Sequence, residues 1–397
     1  MNKILKTIIA VLLIAIISSI STLGLIYYAL GFNEQGFSNL MRFITAYRFI
    51  ETKYVNDTDD VKLIDGAIDG MVKSLNDPHS NYLSPKMYKT LMEQTEGSFA
   101  GIGVVMGMDN EQKIHIVGIM ENSPGQKAGL QEGDEILAVD GVPVTQMAFD
   151  EVAAHVRGQA GTDVVLTIMR DNTNQDITIT RDNIKLKTVG HKMLDNNIGY
   201  IQIVSFSEDT ANEFNEAYND LKNQGMKALV LDLRNNPGGL LTTCVEIAKK
   251  LVPKGEIVSI VDKQRNKETY SSSLEAPEYP LAVLINKNSA SASEILSGAI
   301  QDTKAGTIIG NTSYGKGSVQ TILPMFEDDA VKLTIAKYYT PSGRSIDGTG
   351  ITPDIEINLD ENATSDTQLD KALEVLKAQL NLSLIHISEP TRQEAIS

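Results

Sequence analysis

Cysteine occurs once in 397 residues, at Cys244, so no internal disulfide can form and no cysteine cluster can hold a metal. It stands at an apolar helical position in LLTTCVEIAKKLV and reads as a buried structural thiol. Basic residues are in deficit: 35 Lys and Arg face 51 Asp and Glu, a net charge of −16. That balance offers no phosphate-neutralising face and argues against nucleic acid as a partner. Histidine is scarce too. The five (His79, His115, His155, His191 and His386) are scattered, and neither H-E-x-x-H nor G-x-S-x-G occurs. A zinc site and a histidine-based triad are therefore poorly supported.

Charged side chains are also missing from Thr7 to Leu30, twenty-four residues rich in Ile, Leu, Val and Ala. At ~1.5 Å rise per residue such a segment spans a bilayer. Lys3 and Lys6 precede it, so the positive-inside rule puts the N-terminus in the cytoplasm and everything after about Phe32 outside. A cleaved signal peptide is the alternative. The apolar run exceeds a typical h-region and lacks a convincing A-x-A site, so an uncleaved anchor is favoured. At the other end, LSLIHISEPTR (Leu382 to Arg392) resembles the translation of a common transposase sequencing adaptor. Residues 382–397 are accordingly read as an adaptor artefact, and the true C-terminus lies elsewhere.

What remains has the composition of a folded protein, 42% hydrophobic and 22% charged, and is long enough for two or three domains. Residues 33–97 carry helical spacing, as in NLMRFITAYRFIETKYV and VKLIDGAIDGMVKSL, followed by a turn at NDPHSNYLSP. Residues 98–182 read as strands around short turns, with one helix at AFDEVAAHVRG. Residues 183–360 alternate strand and helix, which predicts a largely parallel βαβ sheet with its site at strand C-terminal ends. Residues 361–381 predict a C-terminal helix.

Three stretches in the last large segment carry chemistry. INKNSASASEILSGAIQDT alternates Ser289, Ser291 and Ser293 between a buried strand and a helix, where backbone N–H groups are unpaired and the dipole end is positive. Ser291-Ala-Ser-Glu294 is also a capping box, which needs no catalysis, and both readings stay open on this stretch alone. NTSYGKGSVQT sets Lys316 between two glycines, twenty-five residues after Ser291. A lysine can replace histidine as a base if its pKa falls from about 10.4 to roughly 7–8; a solvated turn lysine is the plainer alternative. LDLRNNPGGLL leads a buried strand into Asn235–Gly239, a loop able to aim a backbone N–H at a developing oxyanion.

Residues 98–182 resemble a PDZ domain, with AGLQEGDEILAVDG the specific match and GIGV, from Gly101 through Ile102 and Gly103 to Val104, similar to its carboxylate-binding loop. The order DPHSNYL, PDZ-like segment, LDLRNNPGG, NKNSASASEI, YGKGSVQ and KLTIAKYYTPSGRSIDGTGITPDI resembles the carboxyl-terminal processing (tail-specific) protease family over about residues 38–380. The resemblance implies an α/β protease core of the ClpP/crotonase-like kind, with a PDZ domain, an N-terminal helical segment and one N-terminal transmembrane helix. It implies Ser291 as nucleophile, Lys316 as general base and Gln320 as the residue positioning the lysine. The backbone N–H groups of Ala292 and of Gly238 or Gly239 would be the oxyanion donors. Asp302 matches a position implicated in some members, with a structural helix-end role as its alternative.

Peptide tails with free C-termini would bind the PDZ domain at Gly101, Ile102, Gly103 and Val104, with Val152 and Val156 lining the pocket. Arg157, ending that helix, is a candidate link to the core. No metal or other cofactor is implied, the cell membrane is the expected location with the catalytic part outside, and the helical N-terminal segment would support a homodimer. Two other readings are a non-catalytic membrane-anchored PDZ scaffold and a crotonase-like acyl-transfer enzyme. The first leaves Ser291, Lys316 and Gln320 unexplained together; the second lacks an evident coenzyme A pattern.

Overall fold

The computed structural model describes residues 11–19, 21–22, 24, 28, 34–358 and 365–388. The expected membrane segment, Thr7 to Leu30, is therefore described only in part, and among the described residues no helix is long and apolar enough to cross a membrane. The chain divides into two compact units, residues 1–82 and 83–397.

In the first unit, helices Glu34–Lys53 and Asp60–Lys73 follow the three- and four-residue spacing of their apolar side chains. Asp59 starts the second of them by accepting the Lys62 N–H at 3.2 Å.

The second unit opens with helix Pro85–Glu96, which Gly97 ends in a left-handed conformation at φ 69°. An antiparallel sheet follows. Strand Val104–Met108 forms its edge, then Ile114–Ile119, Glu135–Val139, Asp163–Arg170 and Thr173–Thr180 in spatial order. Period-two alternation turns Ile114, Ile116, Val164, Leu166 and Ile168 inward, and helix Phe149–Val156 covers them. Strand Ser98–Gly101 pairs outside this sheet with Asp182–Lys185, which carries the chain onward.

The last segment builds a mainly parallel sheet in the order Val189–Leu194, Ile198–Ile203, Ala228–Asp232, Leu281–Ile285, Thr307–Gly310 and Ile355–Glu356. Only the first pairing is antiparallel. The central strands are apolar on both faces because both are covered. Leu229, Leu231, Val283 and Ile285 face helices Thr210–Asn223, Leu241–Leu251 and Ala292–Asp302. Ala228, Val230, Ala282 and Leu284 face helix Thr367–Ser388 through its Ala372 and Leu376. That last helix begins later than the C-terminal segment's expected start at 361 and continues through 388; residues 389–397 lie outside the described residues.

One expectation needs correction. GSVQTILP and AVKLTIAKYY do not extend the parallel sheet. As Ser318–Pro324 and Ala330–Tyr339 they form an antiparallel hairpin that joins Gly255–Asp262 and Lys267–Ser272 in a second sheet. A short turn can join only antiparallel neighbours, so the hairpin could not have continued a parallel array.

Candidate active site

The three alternating serines separate by what their hydroxyls touch. Ser289 Oγ donates to Leu233 O at 2.8 Å and accepts the Asn286 N–H at 2.9 Å. Ser293 Oγ donates to Asn236 O at 3.0 Å. Both side chains are fully buried and fasten the start of helix Ala292–Asp302 to the Asn235–Gly239 loop. Ser291 is different. It holds φ 53° and ψ −113°, a rare backbone region for a residue with a Cβ, and its hydroxyl makes no capping bond to the helix. The cap bond runs the other way, from Ser291 N–H to Glu294 Oε2 at 2.8 Å.

Ser291, Lys316 and Gln320 line one cleft of about 370 Å³. Its walls are mostly apolar: Leu240, Leu241, Ile260, Ile295 and Val319, with Tyr338 beside them. Lys316 arrives on the loop that leaves the C-terminal end of Thr307–Gly310 in the parallel sheet and enters Ser318–Pro324 of the second sheet. Its flanking glycines are required by packing, since a Cβ on Gly317 would stand 2.5 Å from the Asp347 nitrogen. Gln320 is held by Ser318 Oγ at 2.8 Å and Thr334 Oγ1 at 3.2 Å, both accepting from its amide nitrogen.

Across the cleft, Asn236 is buried and supports its own loop. Its Nδ2 donates to Ile203 O at 2.8 Å, and its Oδ1 accepts the Gly238 N–H at 2.8 Å. The Gly238 amide is thus already committed within the loop, against its expected use as an oxyanion donor, whereas Gly239 lines the cleft. Gly238 has a steric role instead: at φ 101°, a Cβ there would lie 2.7 Å from Ala290 O and from Ser291 Cβ. Ala292, the first residue of the helix, is buried, and its carbonyl accepts the Cys244 Sγ–H at 3.2 Å. Burial raises the Cys244 thiol pKa well above its ordinary value.

Asp302 stands at the far end of the same helix, where it accepts Ser342 N–H at 3.0 Å and pairs with Arg344. Ten residues at ~1.5 Å put it about 15 Å along the axis from the cleft, a structural position.

A second groove, of about 290 Å³, runs between the edge strand Val104–Met108 and helix Phe149–Val156. Gly101, Ile102, Gly103, Val104 and Val156 line it, joined by Phe99, Met106, Met120, Phe149, Ala153 and the candidate link Arg157. Val152 does not line it. Its side chain is fully buried in the core of the sheet, because residues 149, 153 and 156 fall on the groove face at helical spacing and 152 turns inward. The Arg157 guanidinium lies over the Phe99 ring, 5.3 Å from its centroid.

Sequence reasoning missed Asn236 and Tyr338, and saw Glu294 only as a cap. The S-x-x-E spacing signals the helix start but says nothing of other loops meeting that carboxylate.

Comparison with known proteins decides the family. Residues 197–357 match the model of peptidase family S41, residues 89–169 that of the PDZ domain, and residues 30–87 that of the activating protease CtpB N-terminal domain. A carboxy-terminal-processing protease of Bartonella bacilliformis is 42% identical over 335 residues, 82% of this chain and 76% of that protein. The chain belongs to peptidase family S41. Within it, the carboxy-terminal processing protease CtpA of Bacillus subtilis is 38% identical over 370 residues, covering 91% of this chain and 79% of the relative. The solved photosystem II D1 C-terminal processing protease aligns at 29% identity over 85% of this chain and 96% of its own, with a TM-score of 0.48. The S41 chain described here is thus a serine-type C-terminal-processing peptidase that carries a PDZ domain and an N-terminal helical segment.

Proposed function

We propose that this S41 peptidase cleaves extracytoplasmic proteins near their C-termini through a Ser291–Lys316 dyad, with Gln320 positioning the lysine. The observation that carries the proposal is the cleft shared by Ser291, Lys316 and Gln320 at the positive end of helix Ala292–Asp302. Neutral Lys316 Nζ takes the Ser291 Oγ proton as the oxygen attacks the scissile carbonyl. The oxyanion that forms receives the N–H groups of Ala292 and Gly239. Collapse releases the amine, which takes the proton from Lys316, and leaves an acyl-enzyme that water hydrolyses by the same proton path. The apolar wall beside Ser291 suits an uncharged side chain at the cleavage point.

In this reading the PDZ groove takes a free substrate C-terminus, the tail adding as a strand to the exposed edge of Val104–Met108. Arg157, on Phe99 of the strand that pairs with Asp182–Lys185, would pass occupancy toward the core. The N-terminal segment is the membrane anchor, a reading favoured by the exposure of Val11, Leu12, Leu13, Ile14, Ile16 and Ile17. The boundaries 1–32, 33–97, 98–182, 183–360 and 361–381 describe anchor, helical segment, PDZ domain, core and terminal helix, with the helical segment supporting a homodimer and 382–397 an adaptor-derived tail.

Casein cleavage by the full-length protein tests the dyad. Ser291→Ala, Lys316→Ala and Lys316→Arg should all be inactive while folded, because arginine keeps the charge but cannot accept the proton. Substantial turnover by Lys316→Arg would remove the lysine from the role of base. Protease added to intact spheroplasts should digest the part beyond Phe32; full protection would reverse the orientation.

A further inference from the structure

Glu294 is fully buried, yet it is an acid at the start of a helix where a glutamine would also cap. Its carboxylate receives four hydrogen bonds. Oε1 accepts from Ser313 Oγ at 2.6 Å and Gly315 N at 2.7 Å. Oε2 accepts from Ser291 N at 2.8 Å and Lys316 N at 2.9 Å. One oxygen atom therefore holds the backbone of both residues of the dyad. Tyr338 repeats the pattern from the second sheet. Its buried hydroxyl lies within hydrogen-bond reach of the carbonyl oxygens of Lys316 and, at 3.3 Å, of Ser291. Its backbone N–H donates to Gly317 O at 3.1 Å.

The two backbones come from loops that leave neighbouring strands of the parallel sheet, Leu281–Ile285 and Thr307–Gly310. Ser291 and Lys316 each lie six positions beyond the last paired residues, Ile285 and Gly310, so strand register alone does not fix their spacing. We infer that Glu294 and Tyr338 are positioning residues that set the distance between Ser291 and Lys316, one through their N–H groups and the other through their carbonyls. The inference rests on the assignment of Ser291 and Lys316 to the chemistry. A charged acceptor is what the place requires. A carboxylate has only acceptor sites and can satisfy four donors. A glutamine of the same shape must turn its NH₂ toward either Ser291 and Lys316 or Ser313 and Gly315, and each pair includes a backbone N–H that can only donate. Displacing a reacting group by about 1 Å costs on the order of a hundredfold in rate.

The test is steady-state cleavage by the full-length protein, with a peptide reporter whose kcat and KM are both measured. Glu294→Gln should lower kcat about a hundredfold and Tyr338→Phe about tenfold, each with KM changed less than about threefold. The double variant should be little slower than Glu294→Gln alone, because both changes loosen one spacing. A rise in KM at constant kcat, or losses that multiply in the double variant, would overturn the inference. If Glu294→Gln fails to fold, Ser313→Ala combined with Tyr338→Phe supplies the same comparison. Ser291→Ala and Lys316→Ala are assayed alongside. If they stay active, the dyad assignment fails; if they are inactive while Glu294→Gln and Tyr338→Phe keep full kcat, only the positioning role fails.

Discussion

Arg234 and Asp366, 132 residues apart in the chain, meet as a two-pronged ion pair, Nη1 to Oδ1 at 2.9 Å and Nη2 to Oδ2 at 2.7 Å. Asp232 takes the remaining side of the guanidinium, at 3.0 Å from Nε and 2.6 Å from Nη2. Arg234 directly precedes the Asn235–Gly239 loop, and Asp366 directly precedes helix Thr367–Ser388. One side chain thus anchors the terminal helix next to the loop that faces Ser291.

This pair gives the first prediction. Burial pushes the Asp366 pKa up, but hydrogen bonds from Arg234 and the Leu369 N–H outweigh it, and the net shift is downward. A depressed folded pKa contributes stability that is present above the unfolded value, about 3.9, and is lost as pH falls through the folded one. Asp366→Asn should lower stability by about 1–2 kcal/mol at pH 7, allowing for the carboxylate's partial exposure. The difference should be smaller at pH 3 than at pH 7 and close only below the depressed folded pKa. Urea midpoints at the two pH values check it, and equal midpoints at pH 7 would contradict it.

Gly238→Ala should inactivate the peptidase. The added Cβ would sit 2.7 Å from Ala290 O and Ser291 Cβ, in a residue whose φ of 101° already disfavours any side chain. Ser291 must then move, and a loss of a hundredfold or more in kcat is expected. Reporter cleavage with a thermal melt separates this local effect from unfolding. Wild-type kcat in the variant would show that the loop can shift away.

The PDZ helix offers a paired test. Ala153→Tyr, on the groove wall, should abolish binding of a free-tailed peptide without unfolding the domain. Val152→Ala, in the core, should cost about 2 kcal/mol of stability and leave affinity within a factor of about two. An amidated peptide should bind wild type about ten- to a hundredfold more weakly than the free acid, since charge-assisted hydrogen bonds contribute roughly 1.5–3 kcal/mol. Calorimetric titration reads all three; equal affinity for acid and amide would rule out carboxylate recognition.

Cys244 should be silent in the native protein. It is fully buried, and burial raises its pKa, so little thiolate is exposed to attack. A thiol reagent should modify less than about a tenth of the chains in buffer within an hour and nearly all of them in strong denaturant. Rapid native labelling would mean that helix Leu241–Leu251 opens locally.

The sequence alone determined the elements and their order, because apolar spacing at two or at three and four residues is a local property of the chain. It also located the three loops of the cleft, whose glycines, Ser291 and Lys316 stand in short recognisable stretches. Tertiary structure decided what each group does there. Only the fold turned Ser289 and Ser293 onto Leu233 O and Asn236 O and left Ser291 to the cleft. Only the fold moved the Ser318–Tyr339 hairpin into a second sheet, took the Gly238 N–H for Asn236, and brought Ser313, Gly315 and Lys316 onto Glu294. The reason is distance along the chain. A capping box or a turn is set by residues three or four apart, whereas these partners are chosen by which strands and helices pack together, and no local spacing encodes that choice.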